Sequence, residues 1–244
     1  MSCIVCNAEI ASLLSEGRID DARGLSAAGR LVYYEEELLD AHCSTCDSRV
    51  RLRALAQMLI WARPFIDTSA EILLVSASNM EREVISRFWR RAYHVSLLAD
   101  WKDPNCHTGV DITDMPEIGT NQFSMAVALC VLDYIPEAAK AVAEIGRTLR
   151  PNGSFVYWIQ PFRIDASLGE ASQVRTLTGY KDPTHVHTDP GTAAAHAAIP
   201  DCRFGPRAMS AWARAAGLEA QEVKICDHLA AITTTLYIAR KPGK

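Results

Sequence analysis

No glycine lies between Gly29 and Gly109, about a third of the 244 residues, although the chain has thirteen glycines in all. Glycine lets the backbone turn tightly and approach a phosphate closely, so the usual glycine-rich nucleotide fingerprint is missing from this stretch. No apolar run reaches the ~18 residues that a membrane-spanning helix requires. Neither sign of charge dominates: 25 Lys and Arg against 29 Asp and Glu leave a net charge of −4. That balance offers nucleic acid no attraction from the chain as a whole. The segment Met1 to Asn7 has neither the basic stretch nor the apolar stretch of a signal peptide, and the chain is expected to be cytoplasmic. A hydrophobic content of 49% excludes a disordered chain.

Cysteine, by contrast, is abundant. Of eight cysteines, four form two pairs, Cys3-x-x-Cys6 and Cys43-x-x-Cys46, and Cys106, Cys130, Cys202 and Cys226 stand singly. In a reducing compartment paired cysteines are more often metal ligands than disulfides. Two such knuckles complete a four-thiolate shell around zinc and leave no open coordination position, so a structural metal is expected. The 36 residues between the pairs exceed the usual ribbon spacing. Residues 1–48 show little periodicity and few large apolar side chains. They are expected to form a small zinc-binding module that a core alone would barely hold.

Ser48 is placed to cap a helix over 49–62, in which Leu52, Leu55, Ala56, Leu59 and Ile60 share one face. This helix, within a connecting segment 49–69, leads into a region of alternating strands and helices. Strands are expected at 72–75, at 94–99, just before Asp111, and at 123–129, 154–159, 219–226 and 232–239. Helices are expected at 79–92 with Asn79 as cap, at 137–149 and at 206–216, with a turn at Pro151-Asn152-Gly153. Seven strands joined by helical crossovers define an α/β, doubly wound, Rossmann-like sheet over 70–244. The irregular stretch 160–205 is expected to be a lid over the active site.

In such a sheet a ligand sits at the carboxyl ends of the strands. The first strand leads into Val75-Ser76-Ala77-Ser78-Asn79-Met80-Glu81, whose small residues Ser76, Ala77 and Ser78 permit close approach. Glu81 and Glu83 favour the helix dipole but repel a pyrophosphate. That argues against NAD, FAD and nucleoside triphosphates and is compatible with a ligand carrying an ammonium group, with Glu81 among the candidate cofactor-binding residues. Asp100 follows Ser76 by 24 residues, where a Rossmann acid meets ribose hydroxyls. Asp111 is placed to accept from an adenine amino group. His185 and His187 alternate, so an extended segment turns both to one side, and either could act as general base. Arg49, Arg51 and Arg53 form a local basic patch.

Three segments then carry a resemblance: Val110-Asp-Ile-Thr-Asp-Met-Pro116, Phe123-Ser-Met-Ala-Val-Ala-Leu-Cys-Val-Leu-Asp-Tyr-Ile-Pro136 and Ile145-Gly-Arg-Thr-Leu-Arg-Pro-Asn-Gly-Ser154. In this order and spacing they resemble class I S-adenosylmethionine-dependent methyltransferases, over about residues 70–240. His42-Cys-Ser-Thr-Cys-Asp-Ser-Arg-Val-Arg-Leu-Arg53 resembles the lead-in of a subgroup with an N-terminal zinc knuckle that often lacks the glycine-rich first motif. Asp182-Pro-Thr-His-Val-His187 looks like the loop several such enzymes place over the active site. The family often has an acid at Leu74 and Asp at Ser124. The resemblance implies that the turn 75–78 holds the methionine end of S-adenosylmethionine and Asp100 the ribose. It places adenine at Asp111 and the Ile112 backbone, and the sulfonium beside Leu129 and Cys130. The expected activity is methyl transfer to an O or N atom of a small metabolite, a sugar or natural-product intermediate, with His185 as the acceptor's base. Two alternatives remain open: an RNA methyltransferase gripping its substrate with the zinc module and the arginines, and a catalytically silent scaffold of the same fold.

Overall fold

The computed structural model describes residues 3–7, 43, 45–46, 48–99, 101–159, 206–227 and 232–243. Helix α1 (Val50–Ala62) leads through a 3-10 turn (Arg63–Phe65) into the sheet. Then follow β1 (Ile72–Val75), α2 (Asn79–Ser86), β2 (Ala92–Ser96), β3 (Cys106–Thr108) and β4 (Phe123–Leu129). After a 3-10 turn at Leu132–Tyr134 come α3 (Ala138–Thr148), β5 (Leu149–Trp158), α4 (Pro206–Ala215), β6 (Glu219–Asp227) and β7 (Ile232–Arg240). The seven strands form one sheet in the order β3-β2-β1-β4-β5-β7-β6. Strands β1 to β5 pair in parallel, and β7 runs antiparallel to both β5 and β6.

Alternation of side chains splits the core into two layers. Leu73, Val75, Phe123, Ala126, Ala128, Phe155 and Tyr157 face α3 and α4. Ile72, Leu74, Met125, Val127, Leu129, Val156 and Trp158 face α1, α2 and the cysteine knuckles. Burial on both sides explains why β1 and β4 read as unbroken apolar runs rather than alternating ones.

Several boundaries differ from expectation for local reasons. The helix expected over 79–92 stops at Ser86, because Ala92 is drawn into the sheet opposite Ile72. Its cap is Ser78 rather than Asn79, since Ser78 and Glu81 form a reciprocal capping box. The third strand ends at Thr108, well short of Asp111, where Gly109 adopts φ 68° and turns the chain. Ser48 does not cap α1. The cap position is Arg49, and the Ser48 hydroxyl lies among the cysteine sulfurs instead. The expected turn at 151–153 lies inside β5, as an irregularity where Phe123 pairs with Leu149 and Met125 with Ser154.

Candidate functional site

Strand order reverses between β1 and β4, and in a doubly wound sheet the ligand crevice opens there, at the carboxyl ends of the strands. The residue that leaves β1, Ser76, has φ 47°, and the residue that leaves β4, Cys130, has φ 54°. Both lie in the left-handed region, which costs a residue with a Cβ about 1–2 kcal/mol. Such strain persists where surrounding contacts fix it, and it collects at functional sites. The Ser76 N–H donates to Val95 O at 2.7 Å, and its Oγ accepts from the Leu97 N–H at 3.2 Å, tying the β1 turn to β2. The Cys130 N–H donates to Trp158 O at 2.9 Å, tying the β4 turn to β5. The glycine-free stretch therefore makes a left-handed turn of the kind glycine adopts freely, with serine and side-chain bonding in its place.

This arrangement allows a direct test. Ser76→Ala keeps the strain and loses the hydroxyl bond, at a cost of about 1 kcal/mol. Ser76→Gly loses the same bond but relieves about 1 kcal/mol of strain. Urea unfolding should therefore rank the glycine variant above the alanine variant by about that amount.

Ala77 is half-buried and Ser78 exposed at the head of α2. Ser78 Oγ accepts from the Glu81 N–H at 3.3 Å, and Glu81 Oε2 accepts from the Ser78 N–H at 2.6 Å. Glu81 is 5% exposed. Burial holds the Glu81 carboxyl above the usual carboxylate range, and the Arg51 charge and the Ser78 donors offset this only in part. Glu81 thus binds a proton more tightly folded than unfolded. The stability this gives is present in acid and is lost as pH rises from about 4.5 through the raised value. Glu81→Gln keeps an acceptor for the Ser78 N–H and removes the titration. Its unfolding free energy should fall less than wild type's as pH rises, in urea titrations at a series of pH values.

Arg51, from α1, closes this corner. Its Nε is 3.9 Å from Glu81 Oε1, and its guanidinium carbon is 5.9 Å from the Trp158 ring centroid at the end of β5. Neither contact is signalled by sequence spacing. Beyond β3, Asp111 is exposed, with Oδ1 accepting from the Thr113 N–H and hydroxyl, while Ile112 is fully buried in the same core layer as Val75 and Val95. Leu129 is buried at the end of β4. Asp100, His185 and His187 lie outside the described residues, as does the whole of the expected lid. A recess of about 540 Å³ between α2 and β2, lined by Asn79, Arg82, Trp89 and His94, lies on the flank of α2. Burial, with help from the Arg82 charge, lowers the pKa of His94 there.

The second constellation is the cysteine cluster. The sulfurs of Cys3, Cys6, Cys43 and Cys46 all lie within 4.8 Å of one another. Cys3 and Cys46 are 3.9 Å apart, and Cys6 and Cys43 are 3.8 Å apart. A tetrahedral zinc with bonds of about 2.3 Å has sulfur–sulfur edges of about 3.8 Å, so the spacing fits that ion. Cys3 and Cys43 are buried, Cys6 and Cys46 half-buried. Burial disfavours the Cys3 thiolate, but the Ser48 hydroxyl and the backbone N–H groups of Cys6 and Val5 outweigh it and lower the thiol to about 7.

Behind the cluster, Arg53 is 1% exposed and grips Asp227 at the end of β6, with Nε–Oδ1 at 3.2 Å, Nε–Oδ2 at 3.0 Å and Nη2–Oδ2 at 2.5 Å. Its Nη1 donates to Ser48 O. Of the three arginines in the basic patch, Arg53 is therefore internal.

The comparisons with known proteins agree with this architecture. Residues 75–157 match the methyltransferase-domain family. No curated protein matches the chain significantly. Among solved structures, the 1,6-didemethyltoxoflavin-N1-methyltransferase of Burkholderia thailandensis, with bound 1,6-didemethyltoxoflavin and S-adenosylhomocysteine, aligns at TM-score 0.52 and 16% identity. It covers 91% of this chain and 86% of that one. The YcgJ protein of Bacillus subtilis aligns at TM-score 0.51 and 11% identity, covering 78% and 99%. An S-adenosylmethionine-dependent methyltransferase of Mesorhizobium loti aligns at 0.50 and 13%, covering 78% and 100%. Residues 75–157 thus match a methyltransferase domain, and the fold is the one these solved S-adenosylmethionine-dependent methyltransferases share. No described helix is long and apolar enough to cross a membrane.

Proposed function

We propose that the chain transfers a methyl group from S-adenosylmethionine to an O or N atom of a small molecule, and that its four clustered cysteines hold one structural zinc. The observation that carries the cofactor site is the pair of left-handed residues, Ser76 and Cys130, at the carboxyl ends of the two central strands. In this reading the turn 75–78 would hold the methionine end and Leu129 and Cys130 would border the sulfur. Asp100 would take the ribose hydroxyls, and Asp111 with the Ile112 backbone would take the adenine. Small side chains at 76–78 leave room for close contact, and Asp111 Oδ2 remains beside the Oδ1 that accepts from Thr113. Glu81 places a buried acid next to the turn, where the ligand's ammonium group is expected.

When bound, S-adenosylmethionine supplies an electrophilic methyl group. Transfer of that group needs mainly in-line positioning, which the rigid turns can give. His185 is the candidate to take the acceptor's proton, with His187 beside it. His185→Ala should lower turnover while leaving S-adenosylhomocysteine binding unchanged.

A small acceptor is favoured over RNA because Arg53 is internal and Arg51 is 17% exposed against Glu81 and Trp158, so the patch is not an open basic surface. The fold is compatible with such a substrate, since the Burkholderia structure holds one together with S-adenosylhomocysteine. A thermal-shift comparison tests the cofactor. S-adenosylmethionine and S-adenosylhomocysteine should raise the melting temperature and NAD should not. Absence of any shift would favour a silent scaffold.

A further inference from the structure

The cysteine cluster and the turn at the head of α2 are joined by two separate routes. Along the first, Arg87 at the C-terminal end of α2 donates from Nη1 to the carbonyl of Val5, inside the Cys3–Cys6 knuckle. Val5, Cys3 and Cys43 share one buried cluster with Val84, Ile85 and Trp89. Helix α2 has eight residues, a rise of about 12 Å. Its first turn is the capping box of Ser78 and Glu81, and its last is seated on the knuckle.

The second route starts at the other knuckle. Ser48 follows Cys46, its hydroxyl lies 3.4 Å from Cys3 Sγ and 3.2 Å from Cys46 Sγ, and its carbonyl accepts from the Cys43 N–H at 3.1 Å. Helix α1 leaves directly from this point and carries Arg51 to within 3.9 Å of Glu81 Oε1 in the same capping box.

We infer that the metal cluster is a positioning device for the cofactor turn, with Arg87 and Arg51 as the positioning residues, so that zinc and cofactor bind with positive coupling. This rests on the zinc and cofactor assignments proposed above. Physically, a filled cluster fixes the two knuckles, and each knuckle fixes one approach to the Ser78–Glu81 box. Without the ion, the turn must be ordered at the expense of cofactor binding. Linkage makes the effect reciprocal: the factor by which zinc tightens the cofactor equals the factor by which the cofactor tightens zinc.

The test is calorimetric titration of S-adenosylhomocysteine into zinc-loaded and chelator-treated full chain, paired with zinc competition in the presence and absence of S-adenosylhomocysteine. Both ratios should be equal, at about tenfold. Arg87→Met, loaded with zinc, should weaken S-adenosylhomocysteine about threefold and shrink the reciprocal effect on zinc, and Arg87→Lys, which keeps a donor for Val5, should restore part of both. If the chelated chain unfolds, the Arg87 variants decide the question in the loaded state. Unchanged cofactor affinity and unchanged zinc affinity in Arg87→Met would overturn the inference, as would equal cofactor affinity in the two metal states. If the chain takes up no zinc, the metal assignment fails and the coupling with it. If zinc binds and S-adenosylhomocysteine does not, the cofactor assignment fails and the coupling with it.

Discussion

Cys43→Ser should abolish stoichiometric zinc binding and lower the melting temperature by about 10 °C. Cys43 is 1% exposed and lies opposite Cys6, with sulfurs 3.8 Å apart. Three thiolates and a hydroxyl do not complete the shell that four thiolates form. The cost extends beyond the knuckle because Cys3, Val5 and Cys43 belong to the same buried cluster as α1, α2 and one face of the sheet. An ion held about a thousandfold below its free concentration contributes about 4 kcal/mol to the folded state. In a chain of this length each kcal/mol corresponds to about 2–4 °C. Metal analysis and a melting curve on the same sample check both parts. A zinc-free wild-type chain with an unchanged melting curve would contradict them.

Arg53→Met should destabilise the fold by about 3–5 kcal/mol, the cost of taking the bidentate guanidinium away from a buried carboxylate. Side-chain exposures of 1% for Arg53 and 4% for Asp227 leave the remaining carboxylate little access to water. The same change removes the guanidinium from Ser48 O, at the start of α1. Replacing both members, as Arg53→Met with Asp227→Leu, should recover much of the loss, because it removes the buried carboxylate and keeps apolar volume. Urea unfolding of the two single variants and the double variant closes the cycle. A double variant no more stable than the less stable single variant would show that the pair is not the source of the loss.

These two predictions draw on parts of the molecule that were unequally legible in the sequence. The four cysteines announced themselves, because two pairs of cysteines, each separated by two residues, leave few alternatives. The sheet was legible because β1 and β4 are buried on both faces and must be apolar throughout. The Arg53–Asp227 pair was not, because 174 residues separate its members and nothing local marks a bidentate contact. Ser48 looked like a helix cap by residue type, and only the packed structure shows its hydroxyl between two sulfurs.

The placement of the candidate cofactor residues in the fold was legible in outline. Ser76, Ala77, Ser78, Leu129 and Cys130 do fall at the carboxyl ends of the central strands. What the sequence concealed was how the turn forms without glycine. A left-handed serine, anchored through Oγ to the Leu97 N–H, has no signature in composition or periodicity. The same holds for Arg51, which reaches Glu81 and Trp158 only because α1 packs against β6, β7 and α2.

The central claim is that this turn, glycine-free as it is, binds the cofactor of a methyltransferase. Calorimetric titration of the zinc-loaded chain with S-adenosylhomocysteine tests it most directly. One equivalent should bind, be displaced by S-adenosylmethionine and bind more weakly in Ser76→Ala. A folded, zinc-loaded chain that binds neither compound would contradict it.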